Sequence, residues 1–213
     1  AYKVPLEVIS HQENHLEAGL WSACGPQAER FLLLHASGGT TDLLLCEHRE
    51  DSRYNLTQVG GSLDLHAGQF VDRIGVALGL QFPTGPALEQ LAEQAEAPLE
   101  LPVSVRKLDV SLSGPATAAM RKLEAGADAS LALGVEHTLA ETFARLLRNG
   151  AAAYGVRDVI LVGGVGSNKY IRKHVEEKLA KRRVRLWVPE GRFSCDNASG
   201  CAAVAWRLHK KND

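Results

Sequence analysis

The sequence predicts a protein of the α/β class. Three strand-like runs fall within residues 31–59 and are separated by short glycine-containing or polar turns. A further run, residues 159–162, is wholly apolar, as buried parallel strands are, and leads through a glycine-rich turn into a helix-like segment. With 213 residues, 45% of them hydrophobic, the chain is long enough to bury a sizeable core.

The first part of the chain predicts a strand, a helix and an antiparallel meander. Residues 4–9 read as a strand, and residues 11–22 follow as a helix. Further strands are predicted over 31–36, 42–46 and 54–59, with tight turns between them. These three strands should therefore pair antiparallel.

The second part predicts helices that alternate with short strands. Apolar residues at helical spacing indicate the helices, and glycine and proline mark their ends. The predicted segments are a helix over 63–80, a turn at 83–86, a short helix over 86–95, an irregular stretch over 95–113, a long amphipathic helix over 130–154, the strand over 159–162, a helix to about 180, a strand over 184–188 and a closing helix over 197–210. A meander followed by alternating helices and strands is the order of a ribonuclease-H-like lobe, the unit that builds the actin, hexokinase and Hsp70 ATPases.

Composition and charge narrow the possible partners and compartments. The net charge of -1 gives no general attraction to nucleic acid, and the basic run at 178–185 is typical of a solvated helix end, although it could contact phosphates. Four cysteines without CxxC spacing indicate reduced thiols in a cytosolic protein. No segment approaches the ~20 apolar residues that span a bilayer. We therefore expect a cytoplasmic protein without membrane contact.

Two histidines four residues apart predict part of a metal site. His11 and His15 fall on one face of the predicted helix, so both can coordinate one ion. Asp196 is the candidate third ligand; the alternatives are an N-cap role for Asp196 and unliganded surface histidines. Zincin peptidases carry a glutamate general base where this chain has Gln12, which argues against that class of metallopeptidase.

Two glycine-rich turns predict a phosphate- or nucleotide-binding cleft. In residues 37–42 adjacent glycines let backbone N–H groups approach an anion, but an ordinary hairpin turn fits equally well. Residues 163–168 open a helix whose N-terminus attracts phosphate, with Asn168 as a nucleoside contact or a helix cap. Asp72 could accept hydrogen bonds from ribose hydroxyls or form a surface ion pair, and Gly85 is by default a turn residue.

These motifs occur in the order found in one family. The motifs are HxxxH at 11–15, SGGTT at 37–41, GxxxD at 68–72, PTGP at 83–86, SLSG at 111–114, GGVGSN at 163–168 and CDN at 195–197. Together they resemble the TsaD/Kae/Gcp family, the catalytic subunit of tRNA threonylcarbamoyladenosine synthesis, formerly labelled O-sialoglycoprotein endopeptidase or glycoprotease. The resemblance implies the actin-like ATPase fold, which agrees with the predicted strand order.

The resemblance also implies a domain organisation. Residues 1–28 would be the last strand and the metal-ligand helix of an N-terminal lobe. Residues 29–213 would be a complete C-terminal ribonuclease-H-like lobe, with a helical insertion around 86–125. Because the family has a further lobe segment upstream, the sequence is expected to be a divergent member that lacks the N-terminal part.

The resemblance assigns roles to the candidate residues. His11, His15 and Asp196 would hold one divalent metal, iron or zinc, and no catalytic side chain beyond the metal site is expected. Contacts to ATP or threonylcarbamoyl-adenylate would come from His35, Ala36, Ser37, Gly38, Gly39, Asp72, Gly85 and Asn168. The implied reaction moves threonylcarbamoyl from its adenylate to an anticodon-loop adenosine, with the metal polarising the acyl group. The implied partners are tRNA, a related actin-like subunit and a small ATPase.

Several positions depart from the family motifs. Thr40 stands for the histidine of SGGHT, Thr84 for the first glycine of PGGP, Leu112 for the phenylalanine of SFSG, and Pro115 and Ala116 for a leucine and a lysine. These differences keep open a second interpretation, a non-catalytic paralog that acts as a binding or assembly module. A metallopeptidase is a weaker third interpretation. An actin-like sugar kinase is a fourth, but nothing in those kinases requires HxxxH.

Overall fold

The computed structural model describes residues 6–126 and 128–210, which form seven strands, eight α-helices and one 3-10 turn at Val165–Ser167. The strands are β1 Arg30–Ala36, β2 Thr41–His48, β3 Tyr54–Ser62, β4 Val105–Arg106, β5 Asp109–Val110, β6 Asp158–Val162 and β7 Arg185–Trp187. The helices are α1 His11–Ala23, α2 Ala67–Ala77, α3 Gly85–Ala92, α4 Ser113–Glu124, α5 Ala129–Tyr154, α6 Lys169–Ala180, α7 Gly191–Ser194 and α8 Ser199–Lys210. Within the described ranges, no helix combines the length and the apolar character that crossing a bilayer requires.

All seven strands belong to one sheet with the order β4-β5-β3-β2-β1-β6-β7. The first three strands form the predicted antiparallel meander, with Leu33 of β1 opposite Leu44 of β2. Strand β6 then joins β1 in parallel, and β7 joins β6 in parallel. His35 pairs with Val162 at the carboxyl ends of β1 and β6, so the turns that follow these strands leave the sheet side by side. In open α/β sheets this edge is where ligands bind.

Both faces of the central strands are covered by helices. Successive side chains of β1 alternate between the faces. Leu34 packs in the main core with Phe143 of α5, whereas Leu33 packs in a second cluster with Leu16 of α1. All four side chains are fully buried. The sheet therefore separates an α5 layer from an α1 layer, and the alternation directs His35 toward α1.

The segment before α1 differs from the predicted strand over residues 4–9. Residues 6–9 form no strand, and residues 4 and 5 lie outside the described residues. Within the described part of the chain, the backbone carbonyl of Val8 accepts a hydrogen bond from the Arg53 side chain at 3.0 Å, not from a neighbouring strand. An alternating sequence forms a strand only where another strand offers backbone hydrogen bonds.

The region around 86–125, predicted as a helical insertion, is only partly helical. It contains α3 and α4, but also the short hairpin of β4 and β5. Gly61 and Ser62 of β3 pair with β5, so this hairpin extends the sheet. Two-residue strands carry too little alternation to be recognised from sequence.

The helix predicted over 63–80 is shorter at both ends. The Asp64 carboxylate accepts hydrogen bonds from the backbone N–H groups of Leu65 and Leu112 at 2.6 and 2.8 Å, which fixes a turn before α2. At the other end Gly79 adopts a φ of +83°, a conformation that ends a right-handed helix. These local contacts override the apolar periodicity.

Candidate functional site

The two histidines of HxxxH lie on one face of α1, as predicted. The Ser10 side chain caps the helix by accepting a hydrogen bond from the Glu13 N–H, so His11 is the first helical residue and His15 follows one turn later. The His11 side chain is 61% exposed, whereas that of His15 is 2% exposed. The pair therefore reaches from the protein interior to its surface.

Asp196, in the segment between α7 and α8, meets both histidines. Its Oδ1 lies 3.0 Å from His11 Nε2 and 2.8 Å from His15 Nε2, and the two Nε2 atoms are 3.2 Å apart. When three donor atoms each lie about 2.1 Å from one metal ion and the bonds to the ion are at right angles, neighbouring donor atoms are about 3.0 Å apart. The three side chains are thus already spaced as ligands of a single ion.

The charge states of this cluster suit a divalent cation. Burial lowers the pKa of His15, and the hydrogen bond to Asp196 opposes that shift only in part. Hydrogen bonds from His11 and His15 lower the pKa of Asp196. A neutral imidazole and an ionised carboxylate are the forms that bind metal. Two imidazoles and one carboxylate match the ligand sets of both iron(II) and zinc.

Packing between α1 and α8 brings Asp196 to the histidines across more than 180 residues of sequence. The Asn14 side chain donates a hydrogen bond to the Asn197 carbonyl at 2.7 Å and accepts one from the Cys201 N–H at 3.0 Å. One turn further along α1, the buried Glu17 binds Arg207 through both carboxylate oxygens. Gly200 permits the close approach, since a Cβ there would lie 2.0 Å from the Asn14 carbonyl oxygen.

His35 lies beneath the three candidate metal ligands His11, His15 and Asp196, which together we call the metal-ligand cluster. Its ring is fully buried, with its centroid 4.2 Å from that of His15. Burial lowers its pKa to about 3, and neither ring nitrogen has a hydrogen-bond partner in the described part of the chain. The family resemblance implied a place in the nucleotide loop for His35; the alternation of side chains along β1 could have indicated that its ring faces α1. The nucleotide role stays a prediction.

A cleft of about 320 Å³ brings together residues from all the predicted nucleotide motifs. Gly38, Asp72, Gly85 and Asn168 line it, with contributions from α2, α3, α5 and both glycine-rich turns. Ala36 ends β1, and Ser37 and Gly39 flank Gly38 in the following loop, but none of these three is among the lining residues. Four distant parts of the sequence therefore converge on one cavity at the carboxyl edge of the sheet.

The turn after β1 packs directly on the N-terminus of α2. The Gly68 N–H donates to the Ser37 carbonyl at 2.9 Å, and the Ala67 N–H donates to Thr41 Oγ1 at 2.8 Å. A Cβ on Gly68 would lie 2.6 Å from the backbone of Gly38. The glycines at 38 and 68 thus let a loop and a helix end meet at the wall of the cleft.

Asp72 faces the cleft but also holds the start of α3. Its Oδ1 accepts hydrogen bonds from the Thr84 N–H at 2.8 Å and from the Thr84 hydroxyl at 3.1 Å. The buried Thr84 side chain lies so close to Gly75 that a Cβ there would be 2.2 Å from its hydroxyl. The threonine that departs from the family motif is therefore buried behind Asp72 and is not itself among the residues that line the cleft.

Asn168 serves as a helix cap and as part of the cleft at once. Its Oδ1 accepts a hydrogen bond from the Ile171 N–H at 2.9 Å, and its Nδ2 donates to Glu136 Oε1 at 2.7 Å. Glu136 is a buried acid that also lines the cleft. Sequence reasoning missed it, although a glutamate among the apolar residues of α5, between Val135 and Leu139, is a usable signal.

Replacing Glu136 with glutamine is expected to remove a pH dependence of stability. Burial raises the pKa of Glu136 from 4.5 to about 7. The folded protein therefore binds the proton more tightly than the unfolded chain, and its free energy of unfolding falls as pH rises from about 5 to about 7. Between pH 5 and pH 8 the free energy of unfolding of the wild type should fall by on the order of 1–3 kcal/mol more than that of Glu136→Gln.

Urea denaturation at several pH values measures this difference. Glu176→Gln is the matched control, because Glu176 is exposed on α6, and its profile should follow the wild type. Parallel pH profiles for Glu136→Gln and the wild type would contradict the expectation.

The metal-ligand cluster and the cleft share a boundary. Cys195 lines the cleft, and its neighbour Asp196 belongs to the metal-ligand cluster. A Cβ on Gly164 would lie 3.8 Å from Cys195 Sγ, and the Ser194 carbonyl accepts a hydrogen bond from the Gly163 N–H at 2.9 Å. The second glycine-rich turn therefore holds the segment that carries Asp196.

A larger groove lies elsewhere, between α1 and α8. It measures about 1040 Å³ and is lined by exposed apolar side chains that include Trp21 and Trp206. Its buried carboxylate, Glu17, is already paired with Arg207. The volume of a groove is therefore a poor guide to where the reactive groups of this protein lie.

Comparison with known proteins gives consistent matches. A family model described as TsaD, tRNA N6-adenosine threonylcarbamoyltransferase, matches residues 1–203. The proteins of that name from Thermus thermophilus and Methanopyrus kandleri are 33% and 32% identical over 97% and 96% of this chain. A probable bifunctional tRNA threonylcarbamoyladenosine biosynthesis protein from Methanothermobacter thermautotrophicus is 32% identical over 95% of it. The chain spans 62%, 57% and 36% of these relatives' own lengths.

Solved structures with similar folds confirm the predicted fold class. Full-length HypF in its phosphate- and nucleotide-bound form has a TM-score of 0.75 at 13% identity, covering 98% of this chain and 44% of its own. The ADPNP-bound activator of 2-hydroxyisocaproyl-CoA dehydratase from Clostridium difficile has a TM-score of 0.59 at 15% identity, covering 96% and 68%. At such identities these matches show the fold alone, which is the α/β actin-like ATPase fold.

Proposed function

Because the chain belongs to the tRNA N6-adenosine threonylcarbamoyltransferase family, we propose that it forms the metal- and nucleotide-binding part of a tRNA-modifying acyltransferase. The reaction would transfer threonylcarbamoyl from its adenylate to the exocyclic amine of an anticodon-loop adenosine. A C–N bond forms at the carbamoyl carbon, the C–O bond to the phosphate breaks, AMP leaves, and the amine loses a proton. The working compartment would be the cytoplasm.

The observation that carries the proposal is the shared boundary between the metal-ligand cluster and the cleft. A nucleotide in the cleft would present its phosphate side to the segment containing Cys195, next to the carboxylate of Asp196. A divalent metal bound by His11, His15 and Asp196 would supply Lewis-acid polarisation of the transferred carbonyl group. Transfer needs both the activated acyl group and this polarisation at one place.

The residues of the cleft would bind and orient the nucleotide. Asp72 keeps a carboxylate oxygen beyond its contact with Thr84 and would accept hydrogen bonds from ribose hydroxyls. Backbone N–H groups of the turn at Gly38 would approach the phosphate, since nothing lies within 4 Å of the Cβ position there. Buried Glu136 and half-buried Asn168 would close the far side of the cleft. These roles position the leaving group and require no side-chain nucleophile.

The local contacts of α1 argue against a peptidase. Gln12 donates a hydrogen bond to Asp42 at 3.0 Å, and a glutamine cannot act as a general base. Glu13, the nearest acid in sequence, binds Arg53 through both carboxylate oxygens at 2.9 and 3.0 Å. No acid of α1 is therefore poised to activate a water molecule at the metal-ligand cluster.

One observation favours the second candidate function, a non-catalytic binding or assembly module. Thr84 occupies Oδ1 of Asp72 and fills the space above Gly75. These contacts take up one of the two carboxylate oxygens with which Asp72 would bind ribose hydroxyls. A module of this kind would keep the fold and the metal, and assemble with tRNA, a related actin-like subunit or a small ATPase.

Complementation distinguishes the two functions. The full-length gene should restore threonylcarbamoyladenosine to the tRNA of a strain that lacks the synthase, and the Asp196→Asn version should not. Expression of both proteins is checked in the same extracts. Unmodified tRNA in the presence of folded, metal-loaded wild-type protein would overturn the transferase and leave the binding module.

A further inference from the structure

A basic groove runs along the edge of the molecule opposite the cleft. Three adjoining depressions of about 670, 580 and 400 Å³ lie where α5 and α6 end and where β6 and β7 begin. The first two share Arg148 and Arg182, and the second and third share Arg157. We call the three together the basic groove.

Exposed cations from three parts of the chain line the basic groove. They are Arg145, Arg148, Arg157, Lys178, Lys181, Arg182, Arg183 and Arg185. The run at 178–185 is thus joined by arginines of α5 and of the turn before β6, which sequence proximity did not indicate. Because the whole chain has a net charge of -1, eight cations along one groove are a strong local concentration of positive charge.

Most of this charge is not neutralised by the protein. Glu141 pairs with Lys178 and Arg145, and Asp158 lies 4.0 Å from Arg185. The other five cations form no ion pair within the described ranges; they are Arg148, Arg157, Lys181, Arg182 and Arg183. Unpaired guanidinium groups along a groove suit a partner with regularly spaced anions.

The helices that line the basic groove also connect it to the cleft. Glu136 of α5 and Asn168 before α6 line the cleft, whereas Arg148 and Lys181 line the basic groove. Twelve or thirteen residues of helix span about 18–20 Å at ~1.5 Å per residue. A nucleic-acid strand at ~3.4 Å per nucleotide covers that distance in about six nucleotides.

We propose that the basic groove binds the phosphate backbone of the RNA whose adenosine enters the candidate site, an inference that rests on the proposed function. The apolar residues of the groove are small: Ala144, Ala151, Ala152, Val156 and Val184. A protein partner would need aromatic or large apolar anchors, which this lining does not offer. Cations over small side chains provide phosphate contacts that position an RNA without reading its bases.

The test is tRNA binding by the full-length protein as a function of salt concentration. The variant Arg148→Gln/Arg157→Gln/Arg182→Gln removes three cations of the groove. The matched control, Arg106→Gln/Arg121→Gln/Lys122→Gln, removes the same charge from β4, at the opposite edge of the sheet, and from α4. None of the six side chains is buried, so melting curves should match the wild type.

We expect the groove variant to bind tRNA at least about tenfold more weakly at low salt. The slope of its log affinity against log salt concentration should be smaller in magnitude by about 2–3, because three phosphate contacts are lost. The control should keep the wild-type slope. Equal slopes for the two variants would overturn the proposal, as would loss of tRNA binding to the same extent in both. Binding of an acidic protein lost in the groove variant while tRNA binding persists would identify a different partner and refute the RNA groove.

The same proteins separate this inference from the proposed function. Metal content and AMP affinity of the groove variant should equal those of the wild type, because the groove is about 20 Å from the cleft. A groove-dependent tRNA complex without modification of that tRNA would refute the transferase and retain the groove. Modification that continues unchanged in the groove variant would refute the groove and retain the transferase.

Discussion

Replacing His11 and His15 together with alanine should abolish stoichiometric metal binding. After reconstitution with iron(II) or zinc and desalting, the wild type should retain about one metal ion per chain by elemental analysis. The double variant loses two of the three donor atoms that now meet within 3.2 Å. Its affinity should fall well beyond the ~10–100-fold that loss of a supporting hydrogen bond costs a metal site.

Two further variants make this experiment decisive. His48→Ala removes a histidine of β2 away from the cluster and should leave the metal content unchanged. Asp196 is 84% exposed, so Asp196→Asn removes the anionic ligand without disturbing the core and should also release the metal. Metal that is retained by both His11→Ala/His15→Ala and Asp196→Asn would show that it binds elsewhere. No metal in the wild type would contradict the metal-site prediction itself.

Gly163→Ala should destabilise the protein by roughly 3–5 kcal/mol. Gly163 adopts a φ of +96°, which side chains with a Cβ rarely accept, and its Cβ would lie 2.2 Å from the Ala36 carbonyl oxygen. The new methyl group therefore meets backbone that cannot move without displacing the end of β1. Because Ala36 leads into the loop at Gly38, AMP binding should weaken together with stability.

Gly155→Ala isolates the conformational part of that effect. Gly155 ends α5 with a φ of +66°, but nothing lies within 4 Å of its Cβ position. Its replacement should lower the free energy of unfolding, measured by urea denaturation, by only about 1–2 kcal/mol and leave AMP binding unchanged. Similar losses for Gly155→Ala and Gly163→Ala would mean that the contact between Gly163 and Ala36 relaxes at little cost.

The order of the elements was accessible from the sequence because periodicity is local. The meander, the long α5 and the buried β6 follow from alternating or helical apolar spacing within windows shorter than one element. The common face of His11 and His15 follows from the 3.6-residue turn for the same reason. Where partners from other elements were needed, as for residues 6–9 and for the hairpin of β4 and β5, sequence prediction was wrong or incomplete.

Convergence of distant groups was decided by the tertiary structure. Asp196 joins the histidines only because α8 packs on α1 through Gly200, Asn14 and Arg207. In the same way, α5 and α6 carry Glu136 into the cleft and the scattered arginines into one groove. Sequence spacing determines which side chains share one helix or strand. Burial and electrostatics, which set the charge of Glu136 and leave the groove cations unpaired, depend on neighbours that only the folded chain supplies.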